Sequence, residues 1–261
     1  MFVWLASYPK SGNTLVRSML AAYFFSNDGV YNFDLIKNIK QFPKSQLFEK
    51  MGIDIKNEKE LVKNYIRVQE SINKKDSLQF LKTHSYLFNI ENSPFTDLNN
   101  SLGAIYIVRD PRNIVTSWAN FASVSLEQSV DTLINGFKFG GQFDNPQIED
   151  KAIVFMGNWK TNYNSWKAFE TQQKYLLVKY EDLIENKEIE FKKILKFIFK
   201  LKKKNFVIDQ KKFDNVIKTT DFKIMKNLEK EKGFNESKKI KKQENKFLFL
   251  ILDQKMTGEH C

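Results

Sequence analysis

The stretch Tyr8-Pro9-Lys10-Ser11-Gly12-Asn13-Thr14 decides how this chain is read. The apolar run Phe2-Val3-Trp4-Leu5-Ala6 leads into it, and Thr14-Leu15-Val16-Arg17-Ser18-Met19-Leu20 follows with helical character. A buried strand, a tight polar loop with a lysine and a glycine, and then a helix make an anion cradle. Loop N–H groups and the positive end of the helix converge on one point, and Lys10 brings a full charge to it. The loop is not the nucleoside-triphosphate type, G-x-x-x-x-G-K-[ST], in which the lysine follows the second glycine. Here Lys10 precedes Gly12. An ordinary strand-to-helix turn with Asn13 as N-cap is the plain structural alternative. The loop comes so early that no targeting segment is expected ahead of it.

The remaining composition is that of a globular chain. Its 261 residues suffice for one domain with a large core, and 42% hydrophobic with 28% charged content is ordinary. The single cysteine, Cys261, allows no internal disulfide, which fits a reducing, cytoplasmic setting. The run Phe247-Leu248-Phe249-Leu250-Ile251-Leu252 is too short to span a membrane, so no transmembrane segment is expected. The net charge of +11 invites a nucleic-acid reading, but the excess is dispersed lysine, dense in the last quarter. Lysine-rich faces solvate surfaces. Of the arginines Arg17, Arg67, Arg109 and Arg112, three lie in or beside two motif segments. Arginine is the residue for planar phosphate recognition, so an anionic small molecule is expected and nucleic acid is not.

Apolar runs at residues 2–6, 78–81, 103–108 and 175–178 read as strands buried on both faces. Residues 13–25, 58–72, 111–124, 153–169 and 183–199 carry apolar residues at helical spacing. The alternation predicts an α/β fold: one domain with a central parallel β-sheet flanked by helices. Ligands of such sheets bind beyond the C-terminal strand ends.

Three further segments fall at such ends. Ile105-Tyr106-Ile107-Val108-Arg109-Asp110-Pro111-Arg112 takes a strand into a helix that carries Ser117 about two turns on, so Arg109 and Ser117 can share a second anion. Asp110 is either a helix cap paired with Arg112 or a magnesium ligand. Phe80-Leu81-Lys82-Thr83-His84 ends a strand with Lys82 and His84 two apart, on one side. His84 is one of only two histidines. Leu176-Leu177-Val178-Lys179-Tyr180-Glu181-Asp182 is a strand followed by a helix with acidic residues in its first turn.

Together these segments resemble the PAPS-dependent sulfotransferase family of bacterial type, PAPS being 3′-phosphoadenosine 5′-phosphosulfate. Tyr8 to Thr14 matches the family's Y-P-K-S-G-[ST]-[TN] loop, Arg109 to Arg112 with Ser117 its R-D-P-R motif, Lys82 and His84 its K-x-H, and Tyr180 to Asp182 its Y-E-D. Thr220-Asp221-Phe222-Lys223 resembles its T-S-F segment. The resemblance covers about residues 1–235 and implies the P-loop-NTPase-like sulfotransferase fold, with PAPS as co-substrate and no metal. It implies His84 as general base, Lys10 on the leaving phosphate oxygen and Lys82 on the sulfuryl oxygens. Ser11, Gly12, Asn13 and Thr14 would hold the 5′ side, and Arg109 and Ser117 the 3′-phosphate. Tyr180, Thr220 and Phe222 would border the adenine. Leu15 stands where many members place Trp, which predicts weaker packing on the base. The implied acceptor is a small molecule, lipid or carbohydrate. Its candidate walls are residues 34–72 and 121–159, with Phe33, Phe42, Phe48, Phe121, Phe137, Phe139, Phe143 and Trp159, for which plain core and lid packing is the first reading and an aromatic-lined pocket the second. A nucleotide kinase or NTPase, or a catalytically impaired nucleotide-binding homologue, are the alternatives.

The Lys-rich tail, residues 236–261, departs from the family. Its late glycine-rich segment is expected after Leu250, where Ile251 to Cys261 match nothing of the kind. Codons exist for these residues that, read one base earlier, give Asn-Leu-Gly-Pro-Lys-Asn-Asp-Trp-Arg, the family pattern. A frameshift near Leu250 is the expectation; otherwise one wall of the 3′-phosphate site is missing.

Overall fold

The computed structural model describes residues 1–74, 77–139 and 152–232. The expectations for the tail, and for Phe143, lie outside the described residues, and the side chain of Phe139 is likewise not described. The strands are β1 (Phe2–Ser7), β2 (Lys40–Gln41), β3 (Gln79–Thr83), β4 (Asn89–Ile90), β5 (Ser93–Pro94), β6 (Ser101–Val108), β7 (Phe137–Phe139), β8 (Val154–Gly157) and β9 (Tyr175–Lys179). The helices are α1 (Asn13–Phe25), α2 (Ser45–Glu49), α3 (Glu58–Lys63), α4 (Tyr65–Ile72), α5 (Pro111–Ala122), α6 (Leu126–Asn135), α7 (Trp159–Ser165), α8 (Tyr180–Glu185), α9 (Lys187–Leu201), α10 (Gln210–Thr219) and α11 (Phe222–Lys232).

Five strands form the central sheet in the order β2-β3-β1-β6-β9, and every pairing in it is parallel. β1 lies in the middle and is buried along its whole length. Its alternate residues feed two cores. Val3 and Leu5 join Ile105, Ile107, Val178 and the apolar faces of α1 and α9. Phe2, Trp4 and Ala6 face the other way, against Phe42, Phe48, Tyr65, Phe95 and Trp166. Trp4 is the hub of this second core. Its ring meets Phe42, Phe95 and Trp166 at centroid distances of 5.8, 5.0 and 6.1 Å, and its Nε1–H donates to Ser101 Oγ at 2.8 Å.

The periodicity needs correction in places. Residues 153–169 are not one helix. Val154 to Gly157 pair antiparallel with β7, Gly157 turns the chain at φ 60°, and Asn158 caps α7 by accepting from Thr161 N–H. The helix expected over 58–72 breaks at Asn64 into α3 and α4, and Asn186 separates α8 from α9. Asparagine competes locally for backbone groups and so punctuates helices.

Trp4 is fully buried, so Trp4→Ala is expected to lower unfolding free energy by about 3–5 kcal/mol. A urea titration checks this. A loss well under that range would mean that the second core closes around the cavity.

Candidate active site

The register of the sheet assembles the site. Ala6 pairs with Thr83, which sets His84 beside Ser7; Ser7 pairs with Ile107, which brings Arg109 alongside the loop that follows β1. The chain leaves β1 between its two neighbours, at the point where successive connections run to opposite sides. An open α/β sheet has its crevice there.

The loop itself is wound tightly. Lys10 and Gly12 both have positive φ, 66° and 89°. Gly12 is required twice over, because a Cβ there would lie 2.2 Å from Tyr180 Cδ2. Tyr180, the first residue of α8, therefore packs its ring directly against the loop. Its other neighbour is Arg109, whose guanidinium carbon sits 4.6 Å from the Tyr180 ring centroid. Arg109 Nη1 donates to the Lys10 carbonyl at 3.1 Å. One arginine thus ties the end of β6 to the loop after β1 and to the turn after β9. Ser11 Oγ is buried in this loop with no hydrogen-bond partner among the described residues.

The side chain of Asn13 points back into the fold. Its Nδ2 donates to the Leu5 carbonyl at 3.0 Å and to Ser7 Oγ at 3.1 Å. The N-cap of α1 is Gly12, without a side-chain cap. Thr14 and Ser117 are buried, and Leu15 is half-buried on the α1 core. Lys10 Nζ lies 4.9 Å from the centroid of Phe121.

His84 stands one residue past β3, half-exposed. Its Nδ1 lies 2.9 Å from the Ser7 carbonyl oxygen and 3.2 Å from Ser7 Oγ. A carbonyl only accepts, so Nδ1 carries the hydrogen and, in the neutral ring, Nε2 carries the lone pair. Lys82 is buried on the strand face that also carries Phe80.

Asp110 acts as a cap. It accepts from Arg112 N–H at 2.9 Å and from Arg112 Nε at 3.0 Å, and the hydrogen bond from the Arg112 side chain holds its carboxyl below the usual range. The backbone N–H of Asp110 donates to Glu181 Oε1 at 3.0 Å, so the acidic turn of α8 clasps the start of α5.

Thr220, the residue after α10, is buried and its hydroxyl donates back to the Val216 carbonyl at 2.7 Å; Phe222 opens α11, half-buried. Of the candidate acceptor walls, Phe42 and Phe48 belong to the core around Trp4, and Phe33 packs on the α1 core. Phe121, Phe137 and Trp159 form a separate group with Tyr8 and Trp118. Burial pushes the Tyr8 phenol well up. Ser7 and Asn162 were not singled out from the sequence; each acts through a hydrogen bond to a residue distant in the chain.

A Cβ at Gly12 adds left-handed strain and the clash with Tyr180, so Gly12→Ala is expected to destabilise by more than about 1 kcal/mol. In a Tyr180→Ala background the same change should cost less, as read from urea midpoints. Equal costs in the two backgrounds would contradict the contact.

The model of the sulfotransferase domain family matches residues 2–249. Sulfotransferase 1B1 of Mus musculus is 24% identical over 227 residues, 85% of this chain and 64% of that protein. This chain therefore spans less than two thirds of that relative's length. A mouse sulfotransferase complexed with PAP shares the fold with a TM-score of 0.53 at 17% identity, over 86% of this chain and 66% of the other. A retinol dehydratase in complex with androsterone and inactive cofactor PAP gives 0.52 at 16%, over 87% and 66%.

Proposed function

This chain belongs to the sulfotransferase domain family, and we propose that it moves a sulfuryl group from PAPS to a hydroxyl or amine of a small-molecule acceptor. The observation that carries the reading is the pairing of two features at one sheet edge. A glycine loop is clamped by Arg109 and Tyr180, and beside it stands a histidine whose Nδ1 is held by the Ser7 carbonyl. Solved structures of this fold with PAP bound support the same ligand class.

The residues present fit that nucleotide. The buried hydroxyl of Ser11, lacking a partner among the described residues, sits in the loop where an anion's oxygens would satisfy it. Loop N–H groups from Ser11 to Thr14, with the start of α1, would hold the 5′ side. Arg109 and Ser117 would hold the 3′-phosphate, Tyr180 would flank the base, and Thr220 and Phe222 would close the adenine side. Leu15 supplies an aliphatic surface there.

PAPS supplies a sulfuryl group already activated by its phosphate. The protein's part is positioning and charge. Nε2 of His84 would take the acceptor proton as the new bond forms. Lys10 would swing from Phe121 to the leaving phosphate oxygen, and Lys82 would face the sulfuryl oxygens. The group formed by Phe121, Phe137 and Trp159, close to Lys10, would offer the acceptor an aromatic wall suited to a phenol, a sugar or a lipid.

The experiment is transfer of radiolabelled sulfur from PAPS across a panel of phenols, sugars and lipids. The wild-type chain is expected to label at least one of them. His84→Ala is expected to lose at least about 100-fold in kcat while still binding PAP, the desulfated nucleotide. Retention of transfer by His84→Ala would remove the base assignment. Absence of label in every acceptor class from a chain that binds PAP would leave a nucleotide-binding homologue.

A further inference from the structure

We infer that Asn162, on α7, is a positioning residue for His84, an inference that rests on the reading of His84 as the base. Asn162 is completely buried. A buried amide is costly unless its donors and acceptor are matched, and here they are. Nδ2 donates to the His84 carbonyl at 2.8 Å and to the Met156 carbonyl at 2.7 Å, while Oδ1 accepts from the Tyr106 hydroxyl at 2.8 Å. The two carbonyls and the hydroxyl fix the orientation of the amide.

The His84 carbonyl has a specific need of this donor. The ladder between β1 and β3 ends at the pair Ala6 and Thr83, so the His84 peptide lies past the last paired residue. Asn162 takes over where the sheet stops. On the ring side, Nδ1 meets the Ser7 carbonyl. The histidine is thus held from both ends, by β1 through its ring and by α7 through its backbone. Tyr106 extends the second hold into the centre of the sheet, since it lies on β6 and is itself buried. Nearby groups share the arrangement: Ser85 Oγ accepts from Phe155 N–H at 3.2 Å, and the Ser85 carbonyl accepts from Trp166 Nε1 at 3.0 Å. Those bonds fix the chain after His84; the bond from Asn162 fixes His84 itself. Loss of it lets the peptide turn, lengthens the contact to Ser7 and frees the ring to exchange tautomers.

The test uses the full chain labelled with ¹⁵N. It holds only two histidines, His84 and His260, so His84→Ala assigns the imidazole signals. In the wild type, His84 is expected to show the tautomer with hydrogen on Nδ1. Asn162→Leu is expected to average the two ring nitrogens, with unchanged PAP affinity. Tyr106→Phe, a smaller change, should move the same signals the same way, and it serves if Asn162→Leu does not fold. With 4-nitrophenol as acceptor, a displaced base should cost about 100-fold in kcat, and Asn162→Leu should add nothing in a His84→Ala background. Imidazole signals identical to wild type in both variants, or an equal kcat loss with and without His84, would overturn the role. The NMR measurement needs no acceptor, so a wild-type chain that transfers nothing would count against the proposed reaction and leave the positioning role standing or falling on the imidazole signals.

Discussion

The constraint on which the rest depends is the central place of β1 with a parallel neighbour on each side. Parallel pairing brings the C-terminal ends of β3, β1 and β6 to one edge, and the register pairs Ala6 with Thr83 and Ser7 with Ile107. His84, the glycine loop and Arg109 then have no choice but to meet. β1 can hold this place because it is apolar on both faces. Val3 and Leu5 bury into one core, Phe2 and Trp4 into the other. Burial of such side chains yields on the order of 2 kcal/mol each. The chemistry-bearing residues therefore rest on the most deeply packed strand of the molecule.

Ser7 is the junction of that arrangement. Its carbonyl receives His84 Nδ1, and its hydroxyl receives Asn13 from the first turn of α1. The phosphate-type loop and the histidine are coupled through one residue, so a shift in the loop reaches the ring directly. On the other side of the loop, Arg109 bridges the Lys10 carbonyl and the Tyr180 ring, and Gly12 leaves room for that ring. The acidic residue next in sequence, Asp110, is engaged by the backbone N–H and the side chain of Arg112, in the first turn of α5.

Much of this was legible in the sequence because it is local. Residues 2–20 announce a strand, a loop and a helix in one unbroken stretch, and Ile105 to Ser117 does the same from β6 into α5. The parallel sheet followed from its apolar runs. Two kinds of feature were not legible. The first is short or broken structure: β2 is only the polar pair Lys40–Gln41, and the helical spacing of residues 153–169 concealed β8, which exists because β7 offers it a partner. The second is the buried polar group whose partners are distant. Asn162 lies unremarked in the helical run 153–169, yet its partners are His84, 78 residues away, and Tyr106, 56 away. Likewise the aromatics Phe42 and Phe48 allowed either core packing or an acceptor wall, and their contacts with Trp4 and Tyr65 put them in the core.

The central claim is that the glycine loop and Arg109 form the two halves of one site for a nucleotide with both a 5′- and a 3′-phosphate. Calorimetric titration of the protein with PAP and with adenosine 5′-monophosphate, which lacks the 3′-phosphate, tests it most directly. Clear preference for PAP is expected, and loss of that preference in Arg109→Ala. Equal affinity for the two nucleotides, or tighter binding of ATP with magnesium than of PAP, would contradict it.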